Sequence, residues 1–259
     1  MLIALLAEEG FYGFEEEGTK LKAFAKATEM PEERLLNLLK GRAGKYSTSV
    51  IKEENWNAAW EAGFEPVTVA APTNERPFAY IRASFHEADP ACLYDIVVTP
   101  KMSFGTGHHA TTYLMVSEMS AIDFSNKTVI DFGTGTGILA ILAEKMQAAS
   151  VLAIDCDEWS INNAKENIGM NDCNNISVIK ADHFPDAEKA DIILANINLN
   201  IIKENLTCIK KALVPGGTAL FSGILLQDKE QITAAVENGG LQIKHLTEKG
   251  GWLVLYTVN

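Results

Sequence analysis

From Thr128 to the end of the chain, short apolar runs alternate with longer segments in which hydrophobic residues recur at helical spacing. Short apolar runs are typical of strands buried on both faces, and the longer segments predict covering helices. The predicted strands are Thr128–Ile130, Val151–Ile154, Ser177–Ile179, Ile192–Ala195, Ala219–Phe221, Leu241–Ile243 and Leu253–Tyr256. This alternation predicts a doubly wound α/β sheet, mostly parallel, with a Pro-Gly-Gly turn at residues 215–217. Because no helix separates the last two strands, we expect a closing antiparallel hairpin.

Residues 1–53 have a different pattern, which predicts a small α+β domain. Helical spacing covers Met1–Ala7 and Pro31–Leu39, and alternation predicts strands at Phe11–Phe14, Leu21–Phe24 and Tyr46–Ile51. The order αββαβ is one strand short of the ferredoxin-like βαββαβ arrangement. We therefore expect a ferredoxin-like domain that lacks its first strand.

A linking helix is predicted at residues 54–64, between the small domain and a large domain at 65–259. Trp56 and Trp60 lie four positions apart on this helix, a spacing typical of packing. The large domain opens with predicted strands at Val67–Val69, Tyr80–Ala83 and Asp95–Val98.

Composition narrows the classes of partner. The chain has 259 residues and a net charge of −12, which disfavours direct contact with nucleic acid and favours a basic protein. No run of 18 apolar residues and no signal peptide is present, so we expect a cytoplasmic protein that does not contact a membrane. The four cysteines contain no C-x-x-C pair, so neither a disulfide framework nor a zinc site is predicted.

A glycine-rich loop, DFGTGTG at residues 131–137, follows the first strand of the sheet and precedes a helix. That order is typical of a nucleotide-binding loop. However, Ile138 stands where the G-x-G-x-x-G spacing of pyrophosphate loops requires a third glycine. Asp131 would also repel a pyrophosphate, whereas S-adenosylmethionine carries a sulfonium and an ammonium and no phosphate. We therefore expect S-adenosylmethionine and not NAD.

Polar residues also follow the next three strands. Asp155 lies 22 positions after Gly133, where an acidic side chain accepts both ribose hydroxyls of a nucleoside. Asp182 is either an acceptor for the adenine amino group or part of a helix cap or solvated turn. Asn196 is placed to accept from a substrate amine, and Asn198 is expected to cap the following helix.

The segment SFGTGHHATT, residues 103–112, contains two glycines, two histidines and three threonines, and a helix is predicted from about Thr111. A loop of this composition before the first strand of the sheet is a candidate lid over the cofactor. Hydrogen bonding within the loop is a better interpretation of His108 and His109 than metal binding, because no further His or Cys lies at ligand spacing.

The motifs FGTGHHATT (104–112) and DFGTGTGILA (131–140), with Ala195-Asn196-Ile197 downstream, resemble those of the PrmA family, the bacterial ribosomal protein L11 methyltransferases. The similarity runs from about Trp56 to the carboxyl end. It implies a Rossmann-like class I methyltransferase sheet that transfers methyl groups from S-adenosylmethionine to lysine side chains and an α-amino group. It also implies that the ferredoxin-like domain recognises ribosomal protein L11.

The resemblance implies cofactor contacts at Thr112, Gly133, Asp155 and Asn196, and it makes Asn196 the candidate catalytic residue. Further cofactor-binding candidates come from the lid motif and the strand ends: Phe104, Gly105, Thr106, Asp131, Gly135 and Asp182. His109 matches the family histidine, whereas His108 stands where other members vary. Thr134 replaces a cysteine that is frequent in the family, and we expect this change to be silent.

Two rival functions stay open. Enzymes that methylate a planar amide or adenine nitrogen usually carry Asn-Pro-Pro-Tyr where this chain has Asn-Ile-Asn-Leu at residues 196–199, and Leu199 offers no aromatic plate for stacking. A non-catalytic, cofactor-binding ribosome assembly factor is the second rival.

Overall fold

The computed structural model describes residues 2–30, 32–40, 45–51, 63–71, 76–100, 107–185 and 188–259. The chain divides into two units, Met1–Asn55 and Trp56–Asn259. The linking helix expected at residues 54–64 falls mostly outside the described residues and stays a prediction, as do the domain boundaries at 53 and 64.

The first unit contains two helices and a hairpin. These elements are α1 (Leu2–Glu8), β1 (Gly13–Glu17), β2 (Lys20–Phe24) and α2 (Glu32–Leu39). The strands pair antiparallel through a turn at Gly18, which has a φ of +59°. Leu6 and Phe11 are buried at the centre of a small apolar cluster. The predicted αββα order of the described residues is confirmed.

The strand predicted at Tyr46–Ile51 is wrong, because the structure assigns no strand to residues 45–51. Tyr46, Val50 and Ile51 are exposed instead. β propensity produces a strand only where a neighbouring strand accepts its hydrogen bonds and a core covers one face. The ferredoxin-like arrangement of this unit therefore stays a prediction.

The described part of the second unit opens with three strands that were predicted from the sequence, and they pair into a separate sheet that was not. Its strands are β3 (Val67–Ala70), β4 (Pro77–Ala83) and β5 (Tyr94–Val98), in the order β3-β4-β5. β3 pairs antiparallel with β4, and β4 pairs parallel with β5. Arg82 of β4 binds Asp95 of β5 through two hydrogen bonds of 2.7 Å. A bidentate pair of this kind holds the two strands in register.

The main sheet of the second unit has seven strands. The elements are α3 (Ala110–Met119), β6 (Thr128–Phe132), α4 (Ile138–Lys145), β7 (Ser150–Asp155), α5 (Glu158–Met170), β8 (Ile176–Lys180), β9 (Ala190–Asn196), α6 (Leu199–Ala212), β10 (Leu213–Leu225), α7 (Lys229–Asn238), β11 (Gln242–Lys249) and β12 (Trp252–Val258). Their order is β11-β12-β10-β9-β6-β7-β8. The pairs among β6, β7, β8, β9 and β10 are parallel, and β12 is antiparallel to both its neighbours. The predicted sheet and closing hairpin are confirmed.

Helices cover both faces of this sheet. Ile192 and Leu194 of β9 join the core that contains residues of α3, α4 and α5. Ile193 and Ala195 join the opposite core, which contains residues of α6 and α7. Successive strand residues point to opposite faces, so a strand buried on both sides is apolar throughout.

The turn predicted at residues 215–217 is wrong. These residues lie inside β10, where the register with β9 shifts between Leu213 and Thr218. Gly216 has a φ of +77°, which glycine adopts without strain, so the strand kinks without leaving the sheet.

Candidate active site

Three of the predicted site residues lie at one edge of the main sheet, namely Asp131, Asp155 and Asn196. Phe132 of β6 pairs with Ile154 of β7 and with Ala195 of β9. Because these strands are parallel and in register, Asp155 and Asn196 end their strands at the level where the glycine loop leaves β6. Ligands of open α/β sheets bind beyond this carboxyl edge.

The glycine loop depends on backbone conformations that favour glycine. Gly133, Gly135 and Gly137 have φ values of +81°, +54° and +83°. The backbone N–H groups of Gly133 and Thr134 donate to the Ile154 carbonyl, which fixes the loop against β7. Gly137 is the N-cap of α4 and has no side chain to cap it, so the loop leads directly into the helix N-terminus.

Asp131 is fully buried below this loop. Its Oδ2 accepts a hydrogen bond of 2.6 Å from the Thr134 hydroxyl, while its Oδ1 has no partner within hydrogen-bond distance among the described residues. Burial raises the pKa of the Asp131 carboxyl to about 7; Thr134 and the Ala140 N–H oppose the rise, and Asp155 adds to it. A buried carboxyl group that lacks a full set of hydrogen bonds favours a cationic group nearby and disfavours a phosphate.

Thr134 has a role in the site, and whether its replacement of a cysteine is silent stays a prediction. Its side chain is buried, and its hydroxyl is the donor that partly offsets the burial of Asp131. The turns at Gly133 and Gly135 direct the hydroxyl back to the strand end, an effect of loop geometry that residue type alone does not reveal.

Asp155 is half-buried, and its carboxylate accepts a hydrogen bond from the glycine loop. Its Oδ2 accepts from the Gly135 N–H at 2.9 Å, and its Oδ1 accepts from the Asp157 N–H at 3.0 Å. Each carboxylate oxygen has a second lone pair, so Asp155 can still accept from two hydroxyls. Asp157 caps α5 by accepting from the Ser160 N–H.

Asn196 is half-buried, and its side chain has no hydrogen bond to a described residue. Asn198 accepts from the Ile201 N–H at 3.1 Å and caps α6, as predicted.

The residues that position Asn196 were not anticipated. A Cβ at Gly133 would collide with the Ile197 side chain, and a Cβ at Gly223, whose φ is +82°, would collide with the Ile197 backbone. Ile197 therefore lies between the two glycines, and it donates to the Ser222 carbonyl at 3.2 Å. Gly223 lies on β10, far along the chain, and its isolated position in a strand was the available signal of close backbone approach.

Asp182 lies in an exposed bend after β8 and pairs with His183 Nδ1 at 2.6 Å. This pairing lowers the pKa of the Asp182 carboxyl. The solvated turn is thus the arrangement that the structure describes, and an adenine contact stays a prediction.

The start of α3 carries the remaining described candidates. Thr112 is buried in its first turn. His109 caps the helix by accepting from the Thr111 N–H, and its ring packs edge-on against Trp252 at 4.8 Å. His108 packs edge-on against Phe64. Both histidines thus have structural contacts, and no group of three metal-binding side chains occurs in the described part of the chain.

Phe104, Gly105 and Thr106 lie outside the described residues, so their predicted cofactor contacts and the lid stay predictions.

A groove of about 580 Å³ opens beside the Asn196 loop. Its lining includes Asn198, Leu199, Gly223, Asp228, Gln231 and Trp252. The walls are mixed, with Leu199 and Trp252 among amide side chains and with one carboxylate, Asp228, and this combination can accept an aliphatic chain with a cationic end.

The chain matches the family described as ribosomal protein L11 methyltransferase (PrmA) over residues 7–259. It is 37% identical to the ribosomal protein L11 methyltransferase of Porphyromonas gingivalis, over 98% of this chain and 89% of that protein. The protein of the same name from Phocaeicola vulgatus is also 37% identical, over 96% of this chain and 89% of its own length. The crystal structure of a ribosomal protein L11 methylase from Lactobacillus delbrueckii subsp. bulgaricus has a TM-score of 0.64 and 31% identity, covering 70% of this chain and 93% of that one. With the Rossmann-like sheet and the glycine loop at its edge, these matches show that the chain belongs to the PrmA family of methyltransferases.

Proposed function

We propose that this enzyme transfers methyl groups from S-adenosylmethionine to amino groups of ribosomal protein L11, at lysine side chains and at the α-amine. The observation that carries the proposal is the family match over residues 7–259. The relatives at 37% identity are named ribosomal protein L11 methyltransferase and align over nearly the whole of this chain. The planar-nitrogen and non-catalytic alternatives have no comparable support.

The cofactor is held at the carboxyl edge of the main sheet. The buried carboxyl of Asp131 favours the cationic part of S-adenosylmethionine through its charge, and Asp155 is the acceptor for the ribose hydroxyls. The other proposed cofactor residues are Thr112, Gly133, Gly135, Asp182, Asn196, Phe104, Gly105 and Thr106. When bound, S-adenosylmethionine supplies a methyl group that is already activated by positive sulfur.

The role of Asn196 is to orient the amine. Its carboxamide oxygen accepts an N–H of the substrate and aims the nitrogen lone pair, and Ile197, between Gly133 and Gly223, holds the loop that carries it. Leu199 and Asp228 in the adjacent groove support a substrate with an aliphatic stem and an ammonium group. Alignment alone contributes roughly 7–11 kcal/mol in well-oriented reactions.

The substrate is a basic protein and not nucleic acid. The net charge of −12 favours a cationic partner. No described helix has the length and apolar character needed to cross a membrane. We place the enzyme in the cytoplasm, where ribosomal proteins are made, with residues 1–53 as the unit that recognises ribosomal protein L11.

A transfer assay tests the proposal. Purified enzyme and labelled S-adenosylmethionine are mixed with ribosomal protein L11, or with the same protein after its amines have been blocked by acetylation. Label is expected in the first sample alone. Label in an added RNA, or equal label in the blocked protein, would contradict amine methylation.

A further inference from the structure

Asn167 of α5 bonds two segments of the second unit that are distant in sequence. Its side chain is fully buried. Its Nδ2 donates to the Thr136 carbonyl at 2.7 Å, and its Oδ1 accepts from the Thr99 N–H at 2.8 Å. Both ends of one carboxamide are therefore used on backbone groups.

The two segments both belong to the proposed cofactor site. Thr136 lies inside the glycine loop, between Gly135 and Gly137. Thr99 directly follows β5 and begins the stretch of chain that leads to the lid motif at residues 104–112. Glu166, the neighbouring residue, also accepts from the Thr99 hydroxyl at 2.8 Å, so this part of α5 holds Thr99 through its backbone and its side chain.

We propose that Asn167 is a positioning residue, which fixes the glycine loop relative to Thr99 at the end of β5 in the arrangement that accepts the cofactor. The inference rests on the proposed binding of S-adenosylmethionine, and it adds a residue that does not touch the cofactor. A carboxamide is required, because one group must donate to a carbonyl while it accepts from an N–H. An aspartate keeps the acceptor and replaces the donor with an oxygen that faces the Thr136 carbonyl.

Asn171, one turn later on the same face, provides the matched control. Its Oδ1 accepts from the Val97 N–H at 2.9 Å, and its Nδ2 donates to the Val97 carbonyl at 2.6 Å and to the Asn167 carbonyl at 2.8 Å. Asn171 thus bonds α5 to β5 with the same chemistry but has no bond to the glycine loop. Asn167→Asp loses one donated hydrogen bond and Asn171→Asp loses two, and only the first variant loses a bond to the loop.

The first measurement is the Kd for S-adenosylmethionine by calorimetry, with Tm recorded for each variant. We expect Asn167→Asp to raise Kd about tenfold or more, the effect of losing a buried hydrogen bond, and Asn171→Asp to change Kd by less than about threefold. Asn167→Ala, which avoids a buried charge, is the second variant and should raise Kd in the same direction. Equal changes in Kd at both positions would overturn the proposal, because they indicate general loosening of α5.

Amide hydrogen exchange without cofactor is the second measurement, and it separates this inference from the proposed function. In Asn167→Ala, amides of residues 133–137 and of Thr99 should exchange faster than in wild type, whereas Asn171→Ala should leave residues 133–137 unchanged. This result would support the positioning role even if the wild-type protein failed to bind S-adenosylmethionine. Unchanged exchange at residues 133–137 in Asn167→Ala would overturn the positioning role.

Discussion

The buried carboxyl of Asp131 predicts that cofactor affinity depends on pH. Without a ligand its pKa is about 7, above the ordinary value of 3.8, because burial disfavours the charged form. The folded protein therefore binds this proton more tightly than the unfolded chain does. The stabilisation of the fold that comes from protonated Asp131 is fully present below about pH 4 and is lost as pH rises through about 7. A cationic ligand has the opposite effect on the pKa of Asp131, because a nearby positive charge favours the ionised carboxylate.

The size of the effect follows from the titration. If the ionised form binds S-adenosylmethionine, the competent fraction rises from roughly a tenth at pH 6 to roughly nine tenths at pH 8 for a pKa of about 7. Affinity should then rise about tenfold over this range, which corresponds to about 1.4 kcal/mol. At pH 6, binding should release close to one proton from Asp131.

Calorimetry in two buffers with different ionisation enthalpies measures both the Kd and the proton release. Asp131→Asn is the matched variant, because it keeps the shape of the protonated acid and cannot ionise. The amino group of the ligand also titrates, near about 7.7–8.0, but it does so with both proteins and cancels in their ratio. Equal pH dependence in wild type and Asp131→Asn would refute the reasoning.

Four further changes test the site. Thr134→Val removes the hydroxyl that lowers the pKa of Asp131, so the midpoint of the affinity profile in the calorimetric titrations should move to higher pH, whereas Thr134→Ser should restore it. Asp155→Ala should weaken S-adenosylmethionine binding roughly ten- to a hundredfold through the loss of charge-assisted bonds, and an unchanged Kd would show that the ribose is held elsewhere. Gly223→Ala should lower turnover and Tm, since its φ of +82° and the contact with the Asn196 loop exclude a Cβ; wild-type values would show that the loop can move away. Asn196→Ala should lower turnover at saturating substrate more than His108→Ala does, and equal rates would remove Asn196 from the transition state.

The sheet and the strand-end residues were predictable from sequence because both follow from local rules. A strand buried on two faces is apolar throughout, as Ile192–Ala195 is, and parallel strands in register bring their carboxyl ends to one edge. The sequence pattern therefore assigns Asp131, Asp155 and Asn196 to the same edge.

The contacts that were missed depend on chain segments that are distant in sequence. Tyr46–Ile51 has the composition of a strand, but a strand also requires a partner, and no local pattern supplies one. The close approach of Ile197 to Gly223 depends on the path of β10 beside β9. The helical spacing of the hydrophobic residues around Asn167 places it in a helix. Its hydrogen bonds to Thr136 and Thr99, however, depend on how α5 packs against the glycine loop and the end of β5.

The mass of ribosomal protein L11 from cells tests the central claim most directly. Ribosomal protein L11 is isolated from ribosomes of the parent strain and of a strain from which the gene for this protein has been deleted, and both samples are analysed by intact-mass and peptide mass spectrometry. We predict that methyl groups on lysine side chains and the α-amine are present in the parent and absent from the deletion strain, and that purified enzyme with S-adenosylmethionine restores them. Identical methylation of ribosomal protein L11 in the two strains would contradict the assignment.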